Sequence, residues 1–222
     1  MELRNRFEGL GEENGLDDNS DAERVSGPEV KKSAKKERVL LLSSSHGSHC
    51  SKILSEKLSE NYEVCGVVKP NARLNEVVES VDKLTSDFGD DDCVIVMAGG
   101  NGEDDVDFIT GITSGIGKIM KGKDRTRVII NALPQRFDRE DLIEKVKLMN
   151  KIMHSEVNRL GKRQNQNKQM NFDMERMERN EFTRHGLHLN NHGKKIFCDR
   201  MVELLGDFEQ RKVIRQVAFL GL

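Results

Sequence analysis

The sequence predicts an α/β domain built on a parallel β-sheet with helices on both faces, and three observations lead there. Short apolar runs without polar interruption, such as Val39-Leu-Leu-Leu and Cys93-Val-Ile-Val-Met-Ala, suit strands buried on both faces of a parallel sheet. Between these runs apolar residues recur at helical spacing, so strand and helix alternate along the chain. The runs also end in turns of small and polar residues. That places Ser, Gly-Asn and His clusters at the carboxyl ends of strands, where such sheets keep their binding crevice.

Taken in order, residues 1–36 are rich in Gly, Glu, Asp, Ser and Lys without a sustained apolar period, which reads as a disordered or linker segment. The folded part begins near Arg38. The first strand stops at Ser43-Ser-Ser-His-Gly, and Ile53, Leu54 and Leu58 mark the helix after it. Tyr62-Glu-Val-Cys-Gly-Val-Val reads as the second strand, Pro70-Asn71 as a turn, and Leu74, Val77, Val78, Val81 and Leu84 as one helix. A third strand from Cys93 ends at Gly99-Gly-Asn-Gly, and the helix after it, with Phe108, Ile109, Ile112, Ile116 and Ile119, is weakened by Gly111, Gly115 and Gly117. Arg127-Val-Ile-Ile-Asn is the fourth strand. Leu142 through Val157 mark a long amphipathic helix over residues 140–160, whose apolar stripe suits burial against its own sheet. A polar spacer follows at 163–168, then a weak fifth strand, Met170-Asn-Phe-Asp-Met. Last come a histidine-rich loop, Phe182-Thr-Arg-His-Gly-Leu-His-Leu-Asn, and a helix carrying Ile196, Phe197, Met201, Val202 and Leu205, with His192 in its first turn. The folded domain is expected over 37–206, with a C-terminal extension at 207–222.

Composition narrows the partners. With 36 basic and 38 acidic residues in 222, the chain has no global field for nucleic acid. The one basic run, Lys31, Lys32, Lys35, Lys36 and Arg38, is the only place expected to touch an acidic partner; a solvated linker explains it as well. No apolar stretch approaches the ~20 residues of a membrane helix, and the N-terminus lacks a signal-peptide core. A cytoplasmic protein without a membrane partner is expected. Cys50, Cys65, Cys93 and Cys198 are scattered and mostly within apolar runs, which suits a reducing compartment without disulfides.

Three turns carry candidate chemistry. A serine between a buried strand and a helix exposes its hydroxyl and sets its N–H near a helix N-terminus, where an oxyanion is favoured. Ser45 is the choice, although Ser43 and Ser44 compete for it and a Ser-rich turn also serves as a helix cap. Asn101 offers a side-chain amide to the same oxyanion, while Gly99 and Gly100 let the backbone approach a substrate. His188 is placed to take a proton from Ser45 and return it to a leaving alcohol.

In this order the blocks Ser43-Ser-Ser-His-Gly, Lys69-Pro-Asn-Ala, Gly99-Gly-Asn-Gly and His185-Gly-Leu-His resemble those of the SGNH, or GDSL-type, hydrolases over residues 38 to about 205. The resemblance implies a flavodoxin-like three-layer sandwich with a five-stranded parallel sheet. It also implies a nucleophile at Ser45, a base at His188 and an oxyanion hole from Asn101 with the N–H groups of Ser45 and Asn71. His46, Gly99, Gly100 and His185 would line the substrate, an acyl or acetyl ester. No cofactor and no metal are implied. The phrases Val67-Val-Lys-Pro-Asn-Ala, Leu133-Pro-Gln-Arg-Phe-Asp and Phe182-Thr-Arg-His-Gly-Leu-His-Leu-Asn are similar to SGNH-like domains of arthropod genomes, many derived from retrotransposons. Asn5-Arg-Phe-Glu-Gly-Leu resembles their lead-in.

The blocks also depart from the family. Ser43 and Ser44 replace the Gly and Asp before the nucleophile, Asn71 replaces the second-block Gly, and Gly102 replaces an Asp. His185 stands where the carboxylate three residues before the base belongs. A base without its orienting acid spends time in the wrong tautomer, which in a triad costs on the order of 10⁴ in rate. Two functions follow, a weak Ser-His dyad esterase or a catalytically impaired binding module. A minor third reading is zinc held by His185, His188 and His192 with His46, His49 and Cys50.

Overall fold

The computed structural model describes residues 35–102, 108–121, 126–161 and 168–219, with side chains of the last helix described through Gly206. The N-terminal segment, including Lys31, Lys32 and Asn5, and the spacer at 163–167 lie outside the described residues.

Five strands, β1 (Glu37–Ser43), β2 (Tyr62–Val68), β3 (Cys93–Met97), β4 (Arg127–Asn131) and β5 (Lys168–Asn171), form one sheet in the order β2-β1-β3-β4-β5. Every pairing is parallel. The chain leaves β1 for β2 on one side and returns past it to β3 on the other, so the turns after β1 and β3 flank the point where the strand order reverses.

The two-residue alternation of each strand divides the core between the two faces. Leu40, Leu42, Val94, Val96, Val128 and Ile130 face α2 (Leu74–Val77), α3 (Val81–Leu84), α4 (Phe108–Met120) and α5 (Ile143–Gly161). Val39, Leu41, Cys93, Ile95 and Ile129 face α1 (Cys50–Lys57) and α6 (Asn191–Phe219). The result is the three-layer α/β sandwich the sequence predicts, with the central strands β1, β3 and β4 buried on both faces as their unbroken apolar runs require and the edge strand β2 half-buried.

Some boundaries differ. The helix expected from Leu74 to Leu84 is two short ones, because the Val77-Val78 pair resists helix and Glu79-Ser80 turn the chain, while Leu74, Val77, Val78 and Val81 still share the core. α4 forms despite its glycines, since burying Ile112, Ile116, Ile119 and Met120 outweighs their propensity cost. β5 ends at Asn171, whose Oδ1 accepts from the Asp173 N–H at 3.2 Å and turns the chain into a 3-10 turn over Asp173–Arg176, so Phe172 to Met174 are not strand. α6 runs without a break through residue 206 to Phe219.

Arg38 does not belong to an exposed basic run. It is buried, with its Nη2 donating to Asp92 Oδ2 at 2.7 Å and its Nη1 to Asp87 Oδ2 at 2.5 Å. Asp92 also accepts from the N–H groups of Arg38 and Gly89, each at 2.8 Å. Burial works against its charge, yet these bonds outweigh burial and hold its pKa below the usual value. The pair ties the start of β1 to the start of β3. Among the described residues, no helix is long and apolar enough to cross a membrane.

Candidate active site

The turns after β1, β2 and β3 are fastened to one another at the carboxyl edge of the sheet. The Lys69 N–H donates to the Ser43 carbonyl at 2.9 Å and the Ser44 N–H to the Met97 carbonyl at 3.2 Å, so the β1 turn is clamped from both sides. Ser43 is spent on this architecture: its Oγ accepts from the Gly47 N–H at 2.8 Å and lies 2.8 Å from the Ser44 carbonyl. Ser43 and Ser44 are both buried. Ser45 alone of the three is partly exposed, and its Oγ lies 3.4 Å from the Asn71 N–H.

Asn71 adopts φ 59°, the left-handed region that Asn tolerates better than other side-chain-bearing residues, and this aims its N–H at the serine. The Asn101 Nδ2 donates to the Ala72 carbonyl at 3.0 Å. One of its two amide hydrogens therefore anchors the third turn to the second. Gly99, at φ 126°, lets the chain leave β3 into that turn, with Leu133 where a side chain would point. Leu133 is held by Asn150 of α5, which donates to its carbonyl at 3.0 Å and accepts from its N–H at 2.7 Å.

The histidine loop is a pinned hairpin. Phe182 and Leu189 form an antiparallel bridge, the Thr183 N–H donates to the His188 carbonyl at 2.7 Å, and the Gly186 N–H donates to the Thr183 carbonyl at 2.8 Å. Asn190 caps α6, its Oδ1 accepting from the Gly193 N–H at 2.9 Å while its Nδ2 donates to the Asn180 and Phe182 carbonyls. Gly186 has φ 76°, and a Cβ there would sit 2.7 Å from the Phe137 Cβ. Only glycine lets the loop lie this close on the segment after β4.

That segment is what a reading of turns alone passes over. Phe137 donates its N–H to the Gly186 carbonyl at 3.2 Å and packs edge-on against Phe182 at 5.0 Å. Arg136 holds Asp138 in a two-pronged bond with both contacts at 2.7 Å, which with burial opposing keeps the Asp138 carboxyl below its usual pKa. The Leu133-Pro-Gln-Arg-Phe-Asp phrase is the platform for the histidine loop, and its Phe-Asp next to a Gly-containing loop was the available signal.

His188 lies edge-on to His46, with ring centroids 5.5 Å apart. His46 is partly buried, with its Nδ1 enclosed. Burial first, and then electrostatic interaction with neighbouring His188, Arg136 and Lys194, push its pKa down to about 4. It is a neutral imidazole at neutral pH. The Nδ1 atoms of His46 and His188 are both buried and hydrogen-bonded to no described residue. For His188 this is the nitrogen that an orienting carboxylate would engage. His185 is exposed, as is His192, which sits in the first turn of α6. Among the described residues no three His, Cys, Asp or Glu side chains gather where they could hold a metal ion.

No family model matches the chain, and no curated protein matches it. Solved structures do. The chain is similar to a protein from Slackia heliotrinireducens described as an SGNH hydrolase, at 16% identity over 76% of this chain and 98% of that one, with TM-score 0.54. It is similar to a family 3 carbohydrate esterase of Clostridium thermocellum at 14% identity, covering 78% and 99%, with TM-score 0.58. A lipase/acylhydrolase of Enterococcus faecalis matches at 15% identity, covering 77% and 96%, with TM-score 0.54. With the strand order and the two-sided helix cover, these likenesses define the fold as that of the SGNH hydrolases.

Proposed function

We propose that the chain is an SGNH-type serine esterase that cleaves an acyl or acetyl ester with Ser45 as nucleophile and His188 as base. The observation that supports this best is the Ser45 hydroxyl, partly exposed at the reversal point of the sheet with the Asn71 N–H 3.4 Å away. In the reaction His188 takes the hydroxyl proton as the Ser45 oxygen attacks the ester carbonyl carbon. The N–H groups of Ser45 and Asn71 and the second amide hydrogen of Asn101 receive the developing oxyanion. The tetrahedral intermediate expels the alcohol, which takes the proton from His188, and water then releases the acid by the same steps in reverse.

The rate is low in this reading. Among the described residues His188 has no carboxylate on its Nδ1, and the imidazolium it must become faces a neutral His46 that offers no compensating charge. The same unpartnered nitrogen favours the second reading, an impaired SGNH-like module of a transposable-element-derived protein that binds rather than hydrolyses. Hydrolysis of a chromogenic short-chain ester by wild type and Ser45→Ala separates the two. Loss of the rate in the variant supports the esterase, and equal rates refute it.

A further inference from the structure

Behind the Ser45 turn lie two thiols that ester hydrolysis does not use. Cys50 opens α1 and Cys198 lies in α6, and both are wholly buried in the core beneath that face of the sheet. They are 148 residues apart in sequence, yet the Cys198 Sγ donates to the Cys50 carbonyl at 3.6 Å. The Cys50 Sγ in turn donates to the His46 carbonyl at 3.8 Å. The two side chains thus link α6 to the turn that carries Ser45 and His46. We propose that Cys50 and Cys198 are a redox pair that closes to a disulfide when the protein meets a peroxide, stapling α1 to α6 beneath the candidate active site.

The two sulfurs are set up for different roles. Cys50 stands at a helix N-terminus, where unpaired N–H groups favour a thiolate. The neighbouring Cys198 thiol, first among the causes, holds the Cys50 pKa below its ordinary value, burial opposes, and the charge of Lys194 helps. The Cys198 pKa is raised, by its bond to Cys50 first and by burial second. Cys50 is therefore the attacking sulfur and Cys198 the protonated partner. Cys93, in the middle of the sheet, is pushed up to about 12 by burial and is inert. Cys65 packs against the core on the other face of the sheet and cannot reach either thiol.

The chemistry balances with hydrogen peroxide, an oxidant little larger than water. The Cys50 thiolate attacks one peroxide oxygen, the O–O bond breaks, and the other oxygen leaves as hydroxide and is protonated to water. The Cys198 sulfur then attacks the sulfenic Cys50 sulfur, the S–O bond breaks, and the departing hydroxide takes the Cys198 proton. Two thiols are oxidised to one disulfide and one peroxide is reduced to two waters.

The test does not depend on any esterase rate. The reduced full chain is treated with hydrogen peroxide and followed by intact mass and by a non-reducing peptide map. The expected result is loss of two hydrogens, a peptide linking Cys50 to Cys198, and reversal by dithiothreitol. Cys198→Ala should abolish the link and leave a sulfenic acid on Cys50 that dimedone traps, whereas Cys93→Ala should keep the link. No mass change, a link through Cys65 or Cys93, or oxygen gained at Cys50 without a link in the wild type would overturn the proposal. Should Cys198→Ala fail to fold, the wild-type map alone decides it.

Discussion

Replacing His46 by leucine should flatten the acid limb of the stability curve. The folded protein holds His46 at about 4 against an ordinary 6.5, a gap of about 2.5 units. Below about pH 6.5 the unfolded chain takes up a proton at this residue, while the folded chain does not until about pH 4. The unfolded state therefore binds more protons across that window, and stability falls as pH falls through it. At about 1.36 kcal/mol per unit the loss between neutral pH and pH 4 comes to about 3 kcal/mol. For a urea m-value of about 2 kcal/mol/M, that is a midpoint lower by roughly 1.5 M. Leucine has similar bulk, does not titrate, and removes a buried nitrogen that has no hydrogen-bond partner among the described residues. The variant's urea midpoint minus that of the wild type should therefore increase by roughly 1.5 M as pH falls from about 7 to 4. Carboxylates titrating at the acid end are common to both proteins and cancel in the difference. Parallel midpoint curves would refute the burial argument.

Three further outcomes test the site and its frame. His185→Asp should raise any ester hydrolysis by giving the buried His188 Nδ1 an acceptor, with the roughly 10⁴-fold worth of a triad acid as the ceiling; an unchanged or lower rate places position 185 outside reach of the base. Gly186→Ala, which puts a Cβ against Phe137 at positive φ, should cost on the order of 2 kcal/mol by thermal denaturation and depress hydrolysis more than Ser51→Ala, a control distant in sequence from the histidine loop. Asp92→Asn should cost on the order of 3 kcal/mol, because it leaves the Arg38 guanidinium buried without its main charge partner. A variant as stable as wild type would show that the pair adds nothing to the joint between β1 and β3.

The central strands were legible because burial on both faces leaves no polar interruption, as in Arg127–Asn131, and the half-buried edge strand Tyr62–Val68 was still legible from its β-branched and aromatic content; both have the bounds the structure shows. Helix ends were less so. The break between Val77 and Val81 and the end of β5 depend on one side chain or one turn, below the resolution of a periodic pattern. Within the site, strand-end position marked Ser45, Asn101 and His188 as candidates, and Asn71 joined them only through the resemblance to the SGNH hydrolases. It did not separate Ser45 from Ser43 and Ser44, since all three are serines in one turn. The separation comes from hydrogen bonding, with Ser43 committed to Gly47 and both inner serines buried.

From the sequence by itself came the parallel α/β layering and the order of the turns, because each is a local property of side-chain type and spacing, while the expectation of a carboxylate at position 185 came only from the resemblance to the SGNH hydrolases. The tertiary structure alone decided that Arg38 is buried against Asp92, that the Phe137 segment carries the histidine loop, that His46 is a neutral imidazole against His188, and that Cys50 meets Cys198. Each of those joins residues far apart in the chain. Crossovers over a twisted sheet set their distance, and burial, which exists only once the layers close, sets their charge.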